Sequence, residues 1–209
     1  MTELNFRLYL ITDRHQCQGR QLTQVVDEAC KAGVKAVQLR EKDLSPFALY
    51  QLAEHIKEVC QSTHTKLFIN DRADIAQAVQ ADGIQLTSQS LPVEAVRRCL
   101  LDRKLIGVST HSLEEAQRAE ESAADFILFG PIFETPSKAG FGKPQGLARL
   151  NQLAKLVGVP VFAVGGINPE RAKQCMENRA AGVAVISSIM SSPNIKTMVR
   201  RYEHVLGSL

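Results

Sequence analysis

Two kinds of hydrophobic spacing alternate along the chain. Short, nearly continuous apolar runs recur as "FRLYLIT" from Phe6, "KAVQLRE" from Lys35, "KLFIND" from Lys66, "GIQLTS" from Gly83, "KLIGVST" from Lys104, "DFILFGP" from Asp125, "PVFAVGG" from Pro160 and "GVAVISS" from Gly182. A strand that is apolar at successive positions is covered on both faces, as in a parallel sheet flanked by helices. The intervening segments change to helical spacing. In "QLTQVVDEACKAG", Leu22, Val25, Val26 and Ala29 share one face and Gly33 ends the helix. Similar faces run through "ALYQLAEHIKEVC", "SLEEAQRAEESAA", "GLARLNQLAKLV" and "NIKTMVRRYEHVL". The repeat of about 26 residues is the size of one strand-and-helix module, and eight such modules predict an α/β fold, a (β/α)8 TIM barrel forming a single domain over residues 1–209. An open, doubly wound sheet is the competing arrangement.

A barrel of this kind carries its chemistry at the carboxyl ends of its strands. Those positions here are Arg40, Glu41 and Lys42 after the second run, and Asn70, Asp71 and Arg72 after the third. Ser109, Thr110 and His111 follow the fifth, and Thr135, Ser137 and Lys138 the sixth. The seventh ends in Gly165 and Gly166, the eighth in Ser187 and Ser188. Arg40, Lys42, Arg72 and Lys138 would share one mouth, an arrangement that repulsion makes costly unless an anion is expected. The glycine pair precedes Asn168 and Pro169, a helix start, so bare amides can approach an oxyanion; the alternative is a glycine needed only for a tight turn. Ser187, Ser188 and Ile189 would begin a short extra helix next to it. In "LFGPIFETPSK" the chain passes from buried wall to a hydroxyl- and lysine-bearing loop suited to phosphate oxygens. His111 could serve as a general base, but beside the helix-capping Ser112 it is expected to face solvent.

Composition narrows the classes. With 44% hydrophobic and 22% charged residues the chain reads as a soluble globular protein, and 5% aromatics without tryptophan predict a mostly aliphatic core. A formal charge of +3, evenly spread, argues against nucleic acid as partner. No apolar run approaches the ~18 residues that span a bilayer. Five cysteines without a C-x-x-C pair read as reduced thiols and point to the cytoplasm. A P-loop and a G-x-G-x-x-G fingerprint are both missing, which counts against nucleotide hydrolysis and dinucleotide redox chemistry.

Taken in order, "LYLITDR", "VQLREKD", "INDRADIAQAVQADGIQL", "IGVSTHSLEEAQRAEESAADFILFGPIF", "ETPSK", "PVFAVGGI" and "GVAVISSI" resemble the thiamine phosphate synthase family, including its TenI-type branch of thiazole tautomerases. The resemblance implies a transferase that couples hydroxymethylpyrimidine diphosphate to hydroxyethyl-thiazole phosphate, with pyrophosphate leaving first and the thiazole nitrogen capturing the pyrimidine cation. It implies that Arg40, Lys42, Asn70 and Lys138 hold the pyrophosphate, that Thr135 and Ser137 add hydroxyl donors, and that Ser109 sits by the pyrimidine. Gly166, Ile186 and Ser187 would receive the thiazole phosphate, and Asp71 would bind Mg2+. Three positions depart from the pattern. "TSQS" replaces G-Q-x-D, so Ser90 stands where the synthases supply a second carboxylate, and Gln85 stands where they usually carry histidine. Pro131 occupies the place of the histidine that moves protons in the tautomerase branch. A tautomerase-like isomerase and a phospholigand-binding regulator therefore stand as alternatives to the synthase, and the pairing of barrels suggests a homodimer.

Overall fold

The computed structural model describes residues 4–100, 104–135 and 143–207. Eight parallel strands close into a barrel in sequence order: β1 (Leu8–Ile11), β2 (Ala36–Leu39), β3 (Lys66–Asn70), β4 (Gly83–Leu86), β5 (Leu105–Thr110), β6 (Phe126–Phe129), β7 (Val161–Val164) and β8 (Gly182–Val185). The closing pair is β1 with β8, where Leu8 faces Val183 and Leu10 faces Val185. Each of the eight apolar runs supplies one strand, and closure leaves no edge for an open sheet.

A 3-10 turn (Arg14–Gln16) follows β1, and helices α1 (Leu22–Ala32), α2 (Pro46–Ser62), α3 (Ala73–Ala78), α4 (Val93–Cys99), α5 (Leu113–Glu121), α6 (Gly146–Leu156), α7 (Pro169–Glu177), α8 (Ser187–Met190) and α9 (Ile195–Gly207) complete the described elements. Their starts follow local chemistry. Ser45, Ser112 and Asn168 each accept the backbone N–H of the third residue of their helix, and Pro46 and Pro169 stand at the first helical position, where no N–H is needed. The short helix expected after the eighth strand is α8. Val25, Val26 and Ala29 of α1, Ala53 and Ile56 of α2, and Val199 and Tyr202 of α9 pack on the outside of the barrel in one continuous layer with outward residues such as Leu10, Val37, Leu67 and Val183.

The buried core is mostly aliphatic, as expected, with an aromatic cluster gathered in the barrel interior. Phe6, Tyr9, Phe68, Phe126 and Phe162 fill it, with ring centroids 5.2–6.5 Å apart and mostly edge-to-face. Aromatics are few, but they are concentrated where a small barrel needs bulk, and the aliphatic residues form the outer layer. Glycine makes the rings fit. Phe68 lies in register with Gly83, Phe126 with Gly107 and Phe162 with Gly182, and a Cβ on any of these glycines would collide with the neighbouring ring. The rings plug the lower barrel, so the accessible space is at the C-terminal rim.

Candidate active site

Strand alternation carries the inward direction up from the rings to the rim. Asn70 is two residues beyond Phe68, Ser109 two beyond Gly107, and Ile186 two beyond Ala184 of the ring cluster. Arg40 follows Ala36 and Gln38 on the same side of β2. Four of the residues singled out from the sequence are thereby on the inward face of four different strands, around one opening. Between the rings and the rim lies a polar layer. Gln38 and Gln85 are both buried, and Gln85 Nε2 donates to Ser109 Oγ at 3.1 Å. Gln85 Oε1 is buried without a hydrogen-bond partner.

Beside the opening, between the β2 and β3 ends, is a cavity of about 230 Å3 lined by Lys42, Asn70, Asp71, Arg72, Thr87 and Gln89 together with Glu41 and three leucines. Asp71 is exposed and adopts φ +64, a left-handed conformation that aspartate tolerates better than most side chains. The four cations read from the sequence are in four different situations. Lys42 reaches the cavity, and Arg40 faces the barrel opening instead of lining it. Arg72 lines the cavity but is engaged by Asp74, 2.9 Å from Nε to Oδ1, which raises the guanidinium pKa and lowers that of the Asp74 carboxyl. Lys138, with Ser137, lies outside the described residues; Thr135 is half-buried at the end of the preceding segment.

Ser90, at the position of the missing carboxylate, is already committed. Its Oγ accepts the Thr87 amide at 2.8 Å and lies 3.2 Å from Thr87 Oγ1, closing the 87–90 turn on itself. Among the described residues no group of three or more histidine, cysteine or acidic side chains gathers as a metal site. Asp71 is thus the exposed carboxylate of the cavity. A single carboxylate suits magnesium when the cation arrives with substrate phosphates and keeps several waters, and it does not make an all-protein cage.

Across the rim, Gly165 and Gly166 adopt φ +98 and +66. A Cβ on Gly166 would lie 2.6 Å from the Glu134 carbonyl oxygen and 3.0 Å from Phe133 Cβ, so the pair has a steric duty toward the loop after β6. Phe133 N donates to the Gly165 carbonyl at 3.1 Å, and Arg171 caps the Gly166 carbonyl at 2.6 Å while its guanidinium stacks 4.7 Å from the Phe133 ring centre. The Val164–Ala184 register puts this turn beside Ile186 and the exposed Ser187 at the start of α8. Ser188 is turned away from the rim: its hydroxyl meets Tyr202 Oη at 2.6 Å, and Tyr202 in turn donates to the Ile167 carbonyl.

His111 is not the solvent-facing residue expected. It is half-buried, its Nδ1 lies 2.5 Å from the Gly130 carbonyl, and its backbone N–H donates to the Glu115 carboxylate, whose own backbone N–H is capped by Ser112. Arg14 was not singled out from the sequence. It occupies the β1 rim, where paired bonds to Asp43 and a contact to Glu41 hold its guanidinium pKa above, and the Asp43 carboxyl below, their usual values. Its function could not be read from "ITDR", because both partners come from the loop after β2.

The closed barrel defines the class, a (β/α)8 barrel with a polar C-terminal rim. Comparison with known proteins makes this particular. The profile of the family described as thiamine monophosphate synthase matches residues 8–189. A thiamine-phosphate synthase of Clostridium novyi is 40% identical over 194 residues, covering 93% of this chain and 95% of its own length. One of Syntrophomonas wolfei is 40% identical over 205 residues, 98% of each chain. The solved thiamine phosphate pyrophosphorylase of Pyrococcus furiosus superposes with a TM-score of 0.89 at 30% identity, over 97% of this chain and 96% of that one. The chain belongs to the thiamine monophosphate synthase family, transferases of thiamine biosynthesis. No helix among the described residues is long and apolar enough to cross a membrane.

Proposed function

We propose that the chain joins hydroxymethylpyrimidine diphosphate to hydroxyethyl-thiazole phosphate at the C-terminal rim, releasing pyrophosphate. The observation that carries this reading is the grouping of Lys42, Asn70 and Asp71 around one rim cavity, beside the inward-facing Arg40. In the dissociation step the bond between the pyrimidine methylene carbon and the diphosphate oxygen breaks, and its electron pair leaves with the oxygen. Arg40 and Lys42 supply fixed positive charge and Asn70 an amide donor for that developing charge, with Lys138, Thr135 and Ser137 assigned to the same anion. Fixed donors are worth more than solvent here because they need no reorganisation as charge separates. Ser109 lies against the pyrimidine, its oxygen held by Gln85 so that its own proton remains available to the guest. Gly166, Ile186 and Ser187 receive the thiazole phosphate, which orients the ring nitrogen toward the methylene carbon.

Asp71, with the diphosphate oxygens, would hold Mg2+. The bound ion would add positive charge against the leaving group. The tautomerase alternative lacks its proton carrier, since buried Pro131 has no exchangeable side-chain proton. Incubating the purified protein with both substrates and magnesium tests the proposal. Thiamine phosphate and pyrophosphate should accumulate in equal amounts. Absence of product from folded protein, with the thiazole proton exchanging instead, would replace the synthase by the isomerase.

A further inference from the structure

Glu41 is the buried acidic residue that the proposed chemistry leaves unused. It stands between Arg40 and Lys42 in sequence, yet it is 4% exposed. Thr12, just beyond β1, donates its hydroxyl proton to Glu41 Oε1 at 2.7 Å. The Arg14 backbone N–H is shared between the two carboxylate oxygens at 3.2 Å each, and Arg14 Nη1 reaches Oε2 at 3.2 Å. Thr12 Oγ1 in turn accepts the Arg40 backbone N–H at 2.9 Å, while the Thr12 amide donates to the Gln38 carbonyl at 2.9 Å. The β1–β2 ladder is thus continued beyond the strands by a side chain. Arg14 extends the cluster to Asp43 with two bonds of 2.5 Å.

This arrangement sorts the cations of the rim. Arg14 is spent on carboxylates, whereas the Arg40 and Lys42 side chains form no ion pair among the described residues. A buried carboxylate is costly unless its lone pairs are satisfied, and here hydroxyl, amide and guanidinium all converge on it. The backbone segment that carries both free cations is bound to that cluster on its outer side. We infer that Glu41, acting through Thr12, is a positioning residue: it fixes the 40–42 segment so that Arg40 and Lys42 meet a diphosphate already in place. The inference rests on the proposed function for the identity of the anion. Thr12 is not among the residues that line the cavity, and Glu41, which borders it, has its carboxylate oxygens taken up by Thr12 and Arg14. Their contribution is preorganisation, which appears in the binding of the diphosphate and not in that of the thiazole phosphate.

Thr12→Val keeps the shape of the side chain and removes the hydroxyl, and Thr12→Ser keeps the hydroxyl. Steady-state kinetics with each substrate varied, and calorimetric titration with inorganic pyrophosphate and magnesium, read the effect. Thr12→Val should raise KM for the pyrimidine diphosphate, and weaken pyrophosphate binding, by about 10- to 100-fold while KM for the thiazole phosphate stays within about twofold. Thr12→Ser should recover most of the loss, and Thr12→Val should add little to Arg40→Ala. Equal loss toward both substrates, or unchanged pyrophosphate binding in Thr12→Val, would overturn the inference while leaving the synthase reading intact. Should Thr12→Val fail to fold, Glu41→Gln, which keeps the shape and most acceptors, carries the same expectation and the same refutation. A wild-type protein that binds no pyrophosphate and makes no product overturns the functional reading and the inference together.

Discussion

Replacing Gln85 by methionine should make the protein more stable and less active. Gln85 is 1% exposed and its Oε1 has no partner, whereas Nε2 donates to Ser109 Oγ at 3.1 Å. Exchanging the amide atoms by rotation would still leave one buried polar atom orphaned. Such an orphan destabilises a fold by about 1–3 kcal/mol, and the bond to Ser109 returns about 0.5–1.5 kcal/mol. Methionine matches glutamine in length and removes both terms, and half-buried Ser109 can turn its hydroxyl to solvent. The difference favours Gln85→Met by about 1 kcal/mol, which for a chain of this size raises Tm by about 2–4 °C. Activity moves the other way, because Ser109 loses the donor that directs its proton toward the guest. Urea denaturation and a thermal scan measure the first effect, and kcat/KM for the pyrimidine diphosphate the second. A loss of 1 kcal/mol or more on substitution would refute the reasoning and would mean that Oε1 is satisfied by buried water.

Four further outcomes are expected. Asp71→Asn preserves the φ +64 backbone, which asparagine also tolerates, so it should leave Tm nearly unchanged while raising the magnesium concentration for half-maximal turnover by about tenfold or more; an unchanged magnesium dependence would remove Asp71 as the ligand. Gly166→Ala combines a left-handed residue with a Cβ 2.6 Å from the Glu134 carbonyl and should cost about 2–4 kcal/mol in urea unfolding, with KM for the thiazole phosphate rising. Cys99 is exposed, while Cys17, Cys30, Cys60 and Cys175 are buried and burial pushes the Cys175 thiol up to about 12, so a disulfide reagent at pH 8 should titrate a single thiol in native protein and five after denaturation. Arg14 holds the Asp43 carboxyl pKa below its ordinary value, so the stabilisation from this pair is complete above about pH 4 and is lost as pH falls toward the depressed pKa; Asp43→Asn should flatten the acid limb of the Tm profile below pH 4 and leave the neutral-to-basic limb alone.

The sequence exposed the barrel because its strands are apolar on both faces and each is followed by a helix of different period. It also indicated the rim, since the residues that end the apolar runs of β2, β3 and β5 are polar; the alternation of the observed strands then shows which of them point inward. Pairings across strands were less visible. Glu41 and Arg14 are 27 residues apart, and nothing local marks the carboxylate as buried or the guanidinium as its partner. The duty of Gly166 toward Phe133 and Glu134 is equally non-local, as is the bond that draws His111 to the Gly130 carbonyl. Ser90 is a different case. Its replacement of a carboxylate was plain in "TSQS", but its closure onto the Thr87 amide follows from turn geometry that the four letters alone do not fix. The few aromatics correctly implied a mostly aliphatic core but not the shared interior of the rings: composition reports how many there are, and packing decides where they meet.

The central claim is that the β2 and β3 ends form a diphosphate site. A crystal soaked with pyrophosphate and magnesium tests it most directly. The account predicts density against Arg40, Lys42 and Asn70 with a metal ion bridging the anion and Asp71. Pyrophosphate bound elsewhere on the protein, with these four side chains untouched, would contradict it.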